Sequence, residues 1–355
     1  MNASQIRVGV VGASGYSGEE LVRLLLGHPQ VELRSVTSRQ QAGQRLDQIF
    51  PRFAQFPVAR QLRFELPDAA ALAGDVEVVF LALPHGVAAE FAVPLLEQGV
   101  RVIDLSADFR LRKPEVYREF YGHDHPAPQL LDQAVYGLPE AHREAIRSAK
   151  LVASPGCYPT SVLLPVLPLL KAGLIEPASI IANSLSGVTG AGRKVELGYL
   201  FVECNESLRP YGVPKHRHLS EMEQELSAAA GSSVTIQFIP HLVPMNRGIL
   251  STLCLAPRRR FSTTGEAEAL EREVADCYRA SYEAEPFVRV LEGDRLPDTK
   301  NVTGTNMLEL AWRLDRRTGR LVVMSALDNL IKGAGGQAVQ SFNIQHRFPE
   351  TTGLI

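Results

Sequence analysis

The stretch IRVGVVGASGYSGEELVRLLL, residues 6–26, decides the fold. Residues 6–11 form a short, mostly apolar run that reads as a buried strand. Glycines at 12, 15 and 18 follow, and residues 19–26 then space their apolar positions as a helix does. A strand that turns through a glycine-rich loop directly into a helix is the opening unit of a parallel sheet covered by helices. The pattern repeats downstream. Residues 31–37 alternate apolar and polar as a second strand, residues 76–83 (VEVVFLAL) are continuously apolar as a strand buried on both faces should be, and a helix over 86–97 leads to another strand at 100–105.

The expected class is α/β, with an N-terminal Rossmann-type doubly wound parallel sheet. From about residue 150 the texture changes: residues 178–184, 234–239, 249–255 and 307–314 are strand-like, and 266–282 is a long amphipathic helix. Strands grouped with few intervening helices predict a second, α+β domain with a largely antiparallel sheet. A glycine-rich KGAGG at 332–336 precedes a last helical segment running from 337 towards 345. The expected organisation is a nucleotide-binding domain over 1–150, a second domain over 151–328, and a segment over 329–355 that returns to the first.

Composition narrows the class of function. The chain has 355 residues, 37 basic against 39 acidic, and a formal charge of −2. That balance leaves no electrostatic excess for gripping a nucleic-acid backbone or an anionic membrane. No run of 18 apolar residues and no secretory leader pattern is found, so a soluble cytoplasmic enzyme is expected. Four cysteines, Cys157, Cys204, Cys254 and Cys277, lie too far apart for a zinc knuckle or a redox pair, and no metal site is expected.

The loop Gly12-Ala13-Ser14-Gly15-Tyr16-Ser17-Gly18 stands where a dinucleotide pyrophosphate meets helix N-terminal amides, and its glycines permit a close backbone approach. The second strand predicts which nucleotide. An NAD site places a carboxylate about 20 residues beyond the loop for the ribose hydroxyl, whereas this chain reads Val36-Thr37-Ser38-Arg39. Ser38 and Arg39 instead offer a hydroxyl and a guanidinium suited to a 2′-phosphate, which favours NADP(H).

The octapeptide ASPGCYPT, residues 153–160, fixes one cysteine between prolines and a glycine, immediately before an apolar run. Cys157 is therefore expected at a helix N-terminus, where the dipole favours a thiolate. Pro165 and Pro168 count against a regular helix. The other three cysteines read as ordinary core thiols. A cysteine nucleophile needs an acid–base partner, and His216-Arg217-His218, two imidazoles bracketing an arginine in a loop-like segment before a helix over 221–230, is the candidate.

With these motifs in hand, the sequence resembles the N-acetyl-gamma-glutamyl-phosphate reductases, arginine-biosynthesis members of the semialdehyde dehydrogenase family. The resemblance runs over nearly the whole chain, through GASGYSG, LPHG (83–86), IDLSADFR (103–110), YGLPE (136–140), PGCYPT (155–160), SGVTGAGR (186–193), HRH (216–218), PHLVPMNRG (240–248) and DNLIKGAGGQ (328–337). It departs at Ser154, usually Asn in the family, and at HRHLSE, usually HRHxPE. The resemblance implies NADPH-dependent reduction of a small-molecule acyl phosphate to a semialdehyde through a Cys157 thioester. His218 would be the acid–base, with His216 the runner-up or a phosphate contact. Arg110 would bind phosphate, Arg193 and Arg217 the substrate carboxylate, and Pro84, His85, Ser106, Asn329 and Lys332 the cofactor. The second domain would carry catalysis and oligomerisation, as a homodimer or homotetramer. Aspartate-semialdehyde dehydrogenase and the carrier-protein-linked reductase of lysine synthesis are the nearest alternatives.

Overall fold

In the computed structural model, which describes residues 5–355, the opening stretch becomes strand β1 (Ile6–Val11) followed by a helix over Tyr16–Leu26. The helix starts earlier than the apolar spacing indicated because Gly15 serves as its N-cap and Tyr16 and Ser17 supply its first turn. Strands β2 (Val31–Thr37), β3 (Phe64–Glu65), β4 (Val78–Leu81), β5 (Arg101–Asp104), β6 (Ala134–Tyr136) and β7 (Leu151–Ala153) complete a sheet of order β3-β2-β1-β4-β5-β7-β6. Every pairing is parallel. All four residues of β4 are inaccessible, which is why that stretch of sequence is apolar without alternation. The sheet reverses its winding between β1 and β4, and the loops after the carboxyl ends of these strands carry the glycine motif and Pro84-His85.

The chain divides into two compact units: residues up to Pro155 with Ala334–Ile355, and Gly156–Gly333. The second unit is built on β8 (Ile181–Ser186), β9 (Arg209–Pro210), β10 (Gln237–Leu242), β11 (Ile249–Leu255), β12 (Val288–Val290), β13 (Leu308–Asp315) and β14 (Arg320–Leu327), in the order β12-β13-β14-β11-β8-β10-β9. Four pairings are antiparallel and two, β12 with β13 and β8 with β10, are parallel. The sheet is thus mixed and mostly antiparallel. Strand β10 runs three residues beyond its sequence-predicted end, through Pro240. The missing amide is tolerated because the outer neighbour β9 pairs only with His241 and Leu242.

Residues Cys157–Lys171 form one fifteen-residue helix over this sheet, with Pro165 and Pro168 inside it. The sequence argued against such regularity; side chains from the rest of the unit remove the difficulty. A proline at 165 orphans the Ser161 carbonyl and one at 168 orphans that of Leu164. The Ser325 hydroxyl donates to the first at 2.7 Å, and the Tyr282 hydroxyl donates to the second. Beneath the same helix, the hydroxyls of Ser161, Ser251 and Ser184 form a buried chain with links of 2.8 and 2.6 Å. The helix that presents Cys157 is therefore fixed at several points along its length. Among the described residues no helix is long and apolar enough to cross a membrane.

Candidate active site

Cys157 is the first residue of its helix, and Gly156 is the N-cap, with its carbonyl accepting the Thr160 amide at 3.0 Å. Pro159 occupies the first turn, where a residue without an amide hydrogen costs nothing. Two glycines press against this corner. A Cβ on Gly333 would lie 2.7 Å from the Cys157 Cβ, and a Cβ on Gly156 would lie 2.6 Å from the His218 Nε2. The Gly-Cys junction is therefore packed directly under the His218 ring.

His218 is not loop-borne as the sequence indicated but opens the helix His218–Ala230. That places Glu221 one turn on, with its side chain wholly buried and one carboxylate oxygen 3.9 Å from the His218 Nε2. The other oxygen accepts the Gly156 amide at 3.0 Å. One carboxylate thus joins the backbone preceding the cysteine to the imidazole above it. The sequence alone assigns Glu221 no role, although it stands three residues from His218 and keeps the acid of the HRHxPE pattern.

His216 occupies a different environment. Its ring sits edge-on to Tyr158, Tyr211 and Phe238, and its Nδ1 accepts the His218 amide at 3.1 Å. Burial, with a smaller contribution from the Arg217 charge, lowers its pKa to about 4. At neutral pH His216 is an uncharged ring whose Nδ1 is already committed. Tyr211 donates to the Tyr158 hydroxyl at 2.9 Å, and burial pushes both phenols well up, so they remain protonated donors.

These groups border a cavity of about 310 Å³ lined by Cys157, His216, Arg217 and His218 together with Lys194, Glu196, Tyr199, Arg209 and Tyr211. The last five were not anticipated. Lys194 adjoins the glycine-rich 186–193 motif, but Arg209 and Tyr211 belong to no motif and reach the cavity only through the short strand β9. Arg193 is exposed and is not among the lining residues. Asn329 and Lys332 belong to the second unit. Asn329 is buried, its amide oxygen accepting from Gly248 at 2.8 Å and its amide nitrogen donating to Thr189 at 3.0 Å, so it ties two loops of that unit together. Lys332 is wholly buried, with its ammonium 5.7 Å from the Phe287 ring centroid.

In the first unit the glycine loop has the form a dinucleotide needs. Gly12 has φ +83°, and a Cβ there would meet the Ala82 carbonyl at 2.3 Å. A Cβ on Gly18 would meet the Gly12 carbonyl at 2.3 Å, whereas Gly15 has nothing closer than 3.7 Å. Two glycines weld strand, loop and helix together, and the third leaves an open cradle at the N-terminus of the helix containing Tyr16 and Ser17. Ser14 and Ser38 share a hydrogen bond of 2.8 Å, and the exposed Arg39 lies 3.8 Å from Glu90.

After β4, the His85 ring lies edge-on to Tyr121 at 5.4 Å. After β5, a carboxylate network sets the turn. Asp108 accepts the Gly86 and Ala88 amides at 2.7 and 3.0 Å and the Tyr117 hydroxyl at 3.0 Å. The Ser106 hydroxyl donates to Asp104 at 2.7 Å and accepts the Asp108 amide at 3.1 Å. Burial, reinforced by Asp108, pushes Asp104 up to about 7. Arg110 is buried beside this turn and donates to the Leu105 carbonyl at 2.8 Å. Among the described residues no cluster of side chains is placed to hold a metal ion.

Two family models match the chain: the NAD binding domain of semialdehyde dehydrogenases over residues 7–149, and their dimerisation domain over residues 157–329. The N-acetyl-gamma-glutamyl-phosphate reductase of Akkermansia muciniphila is 56% identical over 99% of both chains. That of Moorella thermoacetica is 49% identical over 98% of both. Among solved structures, aspartate semialdehyde dehydrogenase II of Vibrio cholerae superposes with a TM-score of 0.72 at 18% identity, covering 97% of this chain and 99% of that one. That likeness concerns the fold alone.

Proposed function

The chain belongs to the N-acetyl-gamma-glutamyl-phosphate reductase family of semialdehyde dehydrogenases, and from this we infer that it reduces N-acetyl-L-glutamyl 5-phosphate with NADPH to N-acetyl-L-glutamate 5-semialdehyde and phosphate, a step of arginine synthesis. The observation that carries the mechanism is the corner where Cys157 opens a helix, the His218 ring lies over Gly156, and Glu221 bonds to the backbone between them.

The Cys157 thiolate attacks the acyl carbon, and the carbon–oxygen bond to phosphate breaks, leaving a thioester and inorganic phosphate. When bound, the nicotinamide nucleotide supplies the hydride that reduces the thioester carbon. His218 delivers a proton to the oxygen that becomes negative and later removes it, so that the thiohemiacetal collapses to aldehyde and regenerates the thiolate. Glu221, bonded to the Gly156 amide and 3.9 Å from the His218 Nε2, keeps the imidazole and the backbone before Cys157 in register. His216, uncharged and edge-bound, orients the backbone of His218 and lines the cavity. The aspartyl and carrier-linked alternatives lose ground because the full-length relatives at 49–56% identity are N-acetyl-gamma-glutamyl-phosphate reductases.

For the cofactor, Gly12, Ser14, Gly15, Tyr16, Ser17 and Gly18 would hold the pyrophosphate and Ser38 and Arg39 the 2′-phosphate, with Pro84, His85 and Ser106 at the carboxyl ends of β4 and β5 beside it. Asn329 and Lys332 are assigned to the cofactor by the resemblance alone. Arg110 is assigned to phosphate and Arg217, with Arg193, to the substrate carboxylate. Residues 1–150 would bind the nucleotide, and residues 151–328 would carry catalysis and assembly as a homodimer or homotetramer. The enzyme would work in the cytoplasm.

NADPH oxidation by the purified protein tests the reading. Turnover is expected with N-acetyl-glutamyl phosphate; turnover confined to aspartyl phosphate would overturn it.

A further inference from the structure

Ten large apolar side chains are exposed among the described residues, and seven of them lie within residues 195–213. Val195 is 91% exposed, Phe201 and Val202 are each 78% exposed, and Leu197 is 72% exposed; Leu200, Leu208 and Val213 complete the set. Isolated exposed leucines need no explanation, but seven large apolar side chains exposed within nineteen residues, three of them consecutive at Leu200–Val202, mark a contact surface.

The same stretch forms a wall of the Cys157 cavity. Lys194, Glu196, Tyr199, Arg209 and Tyr211 line the cavity, while Val195, Leu197, Leu200, Leu208 and Val213, interleaved with them in sequence, are exposed. The segment is an arm whose inner side is polar and whose outer side carries these apolar side chains together with the exposed Glu203, Asn205 and Glu206. At its end it is tied to the rest of the unit by Tyr211, whose amide donates to the Pro240 carbonyl at 3.1 Å and whose hydroxyl donates to Tyr158 at 2.9 Å. Before that its bonds are internal, the Arg209 guanidinium donating to the carbonyls of Gly198 and Glu203 and the Cys204 thiol to that of Gly198. Its ladder attachment to the sheet is the two-residue strand β9, which contains a proline and pairs with β10 alone. A proline-bearing edge of that length is poorly suited to strand addition, so side-chain packing is the mode of contact that the arm offers.

We propose that a second copy of this chain packs on the outer side of the arm, and that this contact holds the inner side in place, so that the substrate cavity is competent only in the assembled enzyme. The choice of occupant follows from the match of residues 157–329, which include the whole arm, to a dimerisation domain, and from the lack of net charge that would suit a polyanionic or strongly basic partner. Covering the arm withdraws apolar surface from water and converts its weak self-support into a fixed wall. The predicted effect on substrate affinity rests on the reductase reading; the effect on assembly does not.

The test uses full-length protein carrying Phe201→Glu or Val202→Glu. Sedimentation should find wild type associated and both variants monomeric. Amide exchange at Tyr199, Leu200, Cys204 and Asn205, whose backbone bonds lie within the arm, should accelerate at least tenfold in the variants. KM for N-acetyl-glutamyl phosphate should rise tenfold or more, with a smaller change in kcat. As a check free of substitutions, wild type diluted until it dissociates should show the same rise in KM. Association of the variants like wild type, or a monomeric wild type at concentrations where it is fully active, would overturn the proposal. So would monomers with unchanged KM and unchanged arm exchange. If wild type does not turn over the acyl phosphate, the reductase reading fails, while sedimentation and exchange still decide whether the arm is the interface.

Discussion

Gly156→Ala probes the catalytic corner by adding a single carbon. The backbone at this residue has φ −67° and ψ 157°, which alanine adopts without strain, so the effect is steric alone. The new Cβ would stand 2.6, 2.8 and 2.9 Å from Nε2, Cε1 and Cδ2 of His218. Restoring ordinary contact at about 3.5 Å requires the ring to retreat by roughly 1 Å. It has little room to do so, being 13% exposed and bounded by the His216 and Tyr158 rings at centroid distances of 5.0 and 6.0 Å. A displacement of that size in an acid–base group is expected to lower kcat by about 100-fold, while overpacking costs about 1–3 kcal/mol of stability. Steady-state NADPH oxidation at saturating acyl phosphate, alongside a thermal melt, measures both. Gly265→Ala is the control, since nothing lies within 4 Å of its added carbon. A folded Gly156→Ala enzyme with kcat within threefold of wild type would refute the placement of His218 over the Cys157 corner.

Three further outcomes follow from the same geometry. Glu221→Ala removes the acceptor of the buried Gly156 amide and should cost about 1–3 kcal/mol of stability, whereas Glu221→Gln keeps an acceptor and should melt close to wild type; equal melting of the two variants would exclude that bond as a structural tie. The pKa of His216 is lowered from 6.5 to about 4 in the folded chain, so the unfolded chain binds the extra proton between those values. Its contribution is present above pH 6.5 and is lost as pH falls towards 4, amounting to up to about 3 kcal/mol. His216→Phe should flatten that part of the stability–pH curve and leave more turnover than His218→Ala; an unchanged slope, or the reverse ranking of activities, contradicts the assignment. Arg39→Ala should erode the preference for NADP over NAD by raising KM for NADPH at constant kcat, and unchanged discrimination would remove Arg39 from the 2′-phosphate site.

Local chemistry made part of this molecule legible in advance. The glycine loop announces itself because only glycine fits where a Cβ would strike the Ala82 and Gly12 carbonyls, and β4 is readable because both its faces are buried. Cys157 could be placed because turn residues and an apolar run flank it. What escaped depended on partners distant in sequence. The proline-bearing helix is regular only because Ser325 and Tyr282 take up the carbonyls that the prolines release. Glu221 looks like any first-turn acid until Gly156 is seen to bond to it. The cavity wall from Lys194 to Tyr211 has no apolar periodicity of its own, because its apolar side chains do not face the core of its own unit and the residues that line the cavity are chiefly polar. Strand boundaries slipped where irregular turns intervene, as at Pro177–Ser179, a short 3₁₀ turn that delays β8 to Ile181.

The covalent role of Cys157 is tested most directly by incubating the enzyme with N-acetyl-glutamyl phosphate in the absence of nicotinamide nucleotide, quenching in acid and determining peptide masses. One N-acetylglutamyl group should be found on the peptide containing Cys157, phosphate should be released in equal amount, and Cys157→Ser should show neither a thioester nor NADPH oxidation. An unmodified Cys157 during active turnover, or an acyl group on Cys204, Cys254 or Cys277, would contradict the mechanism.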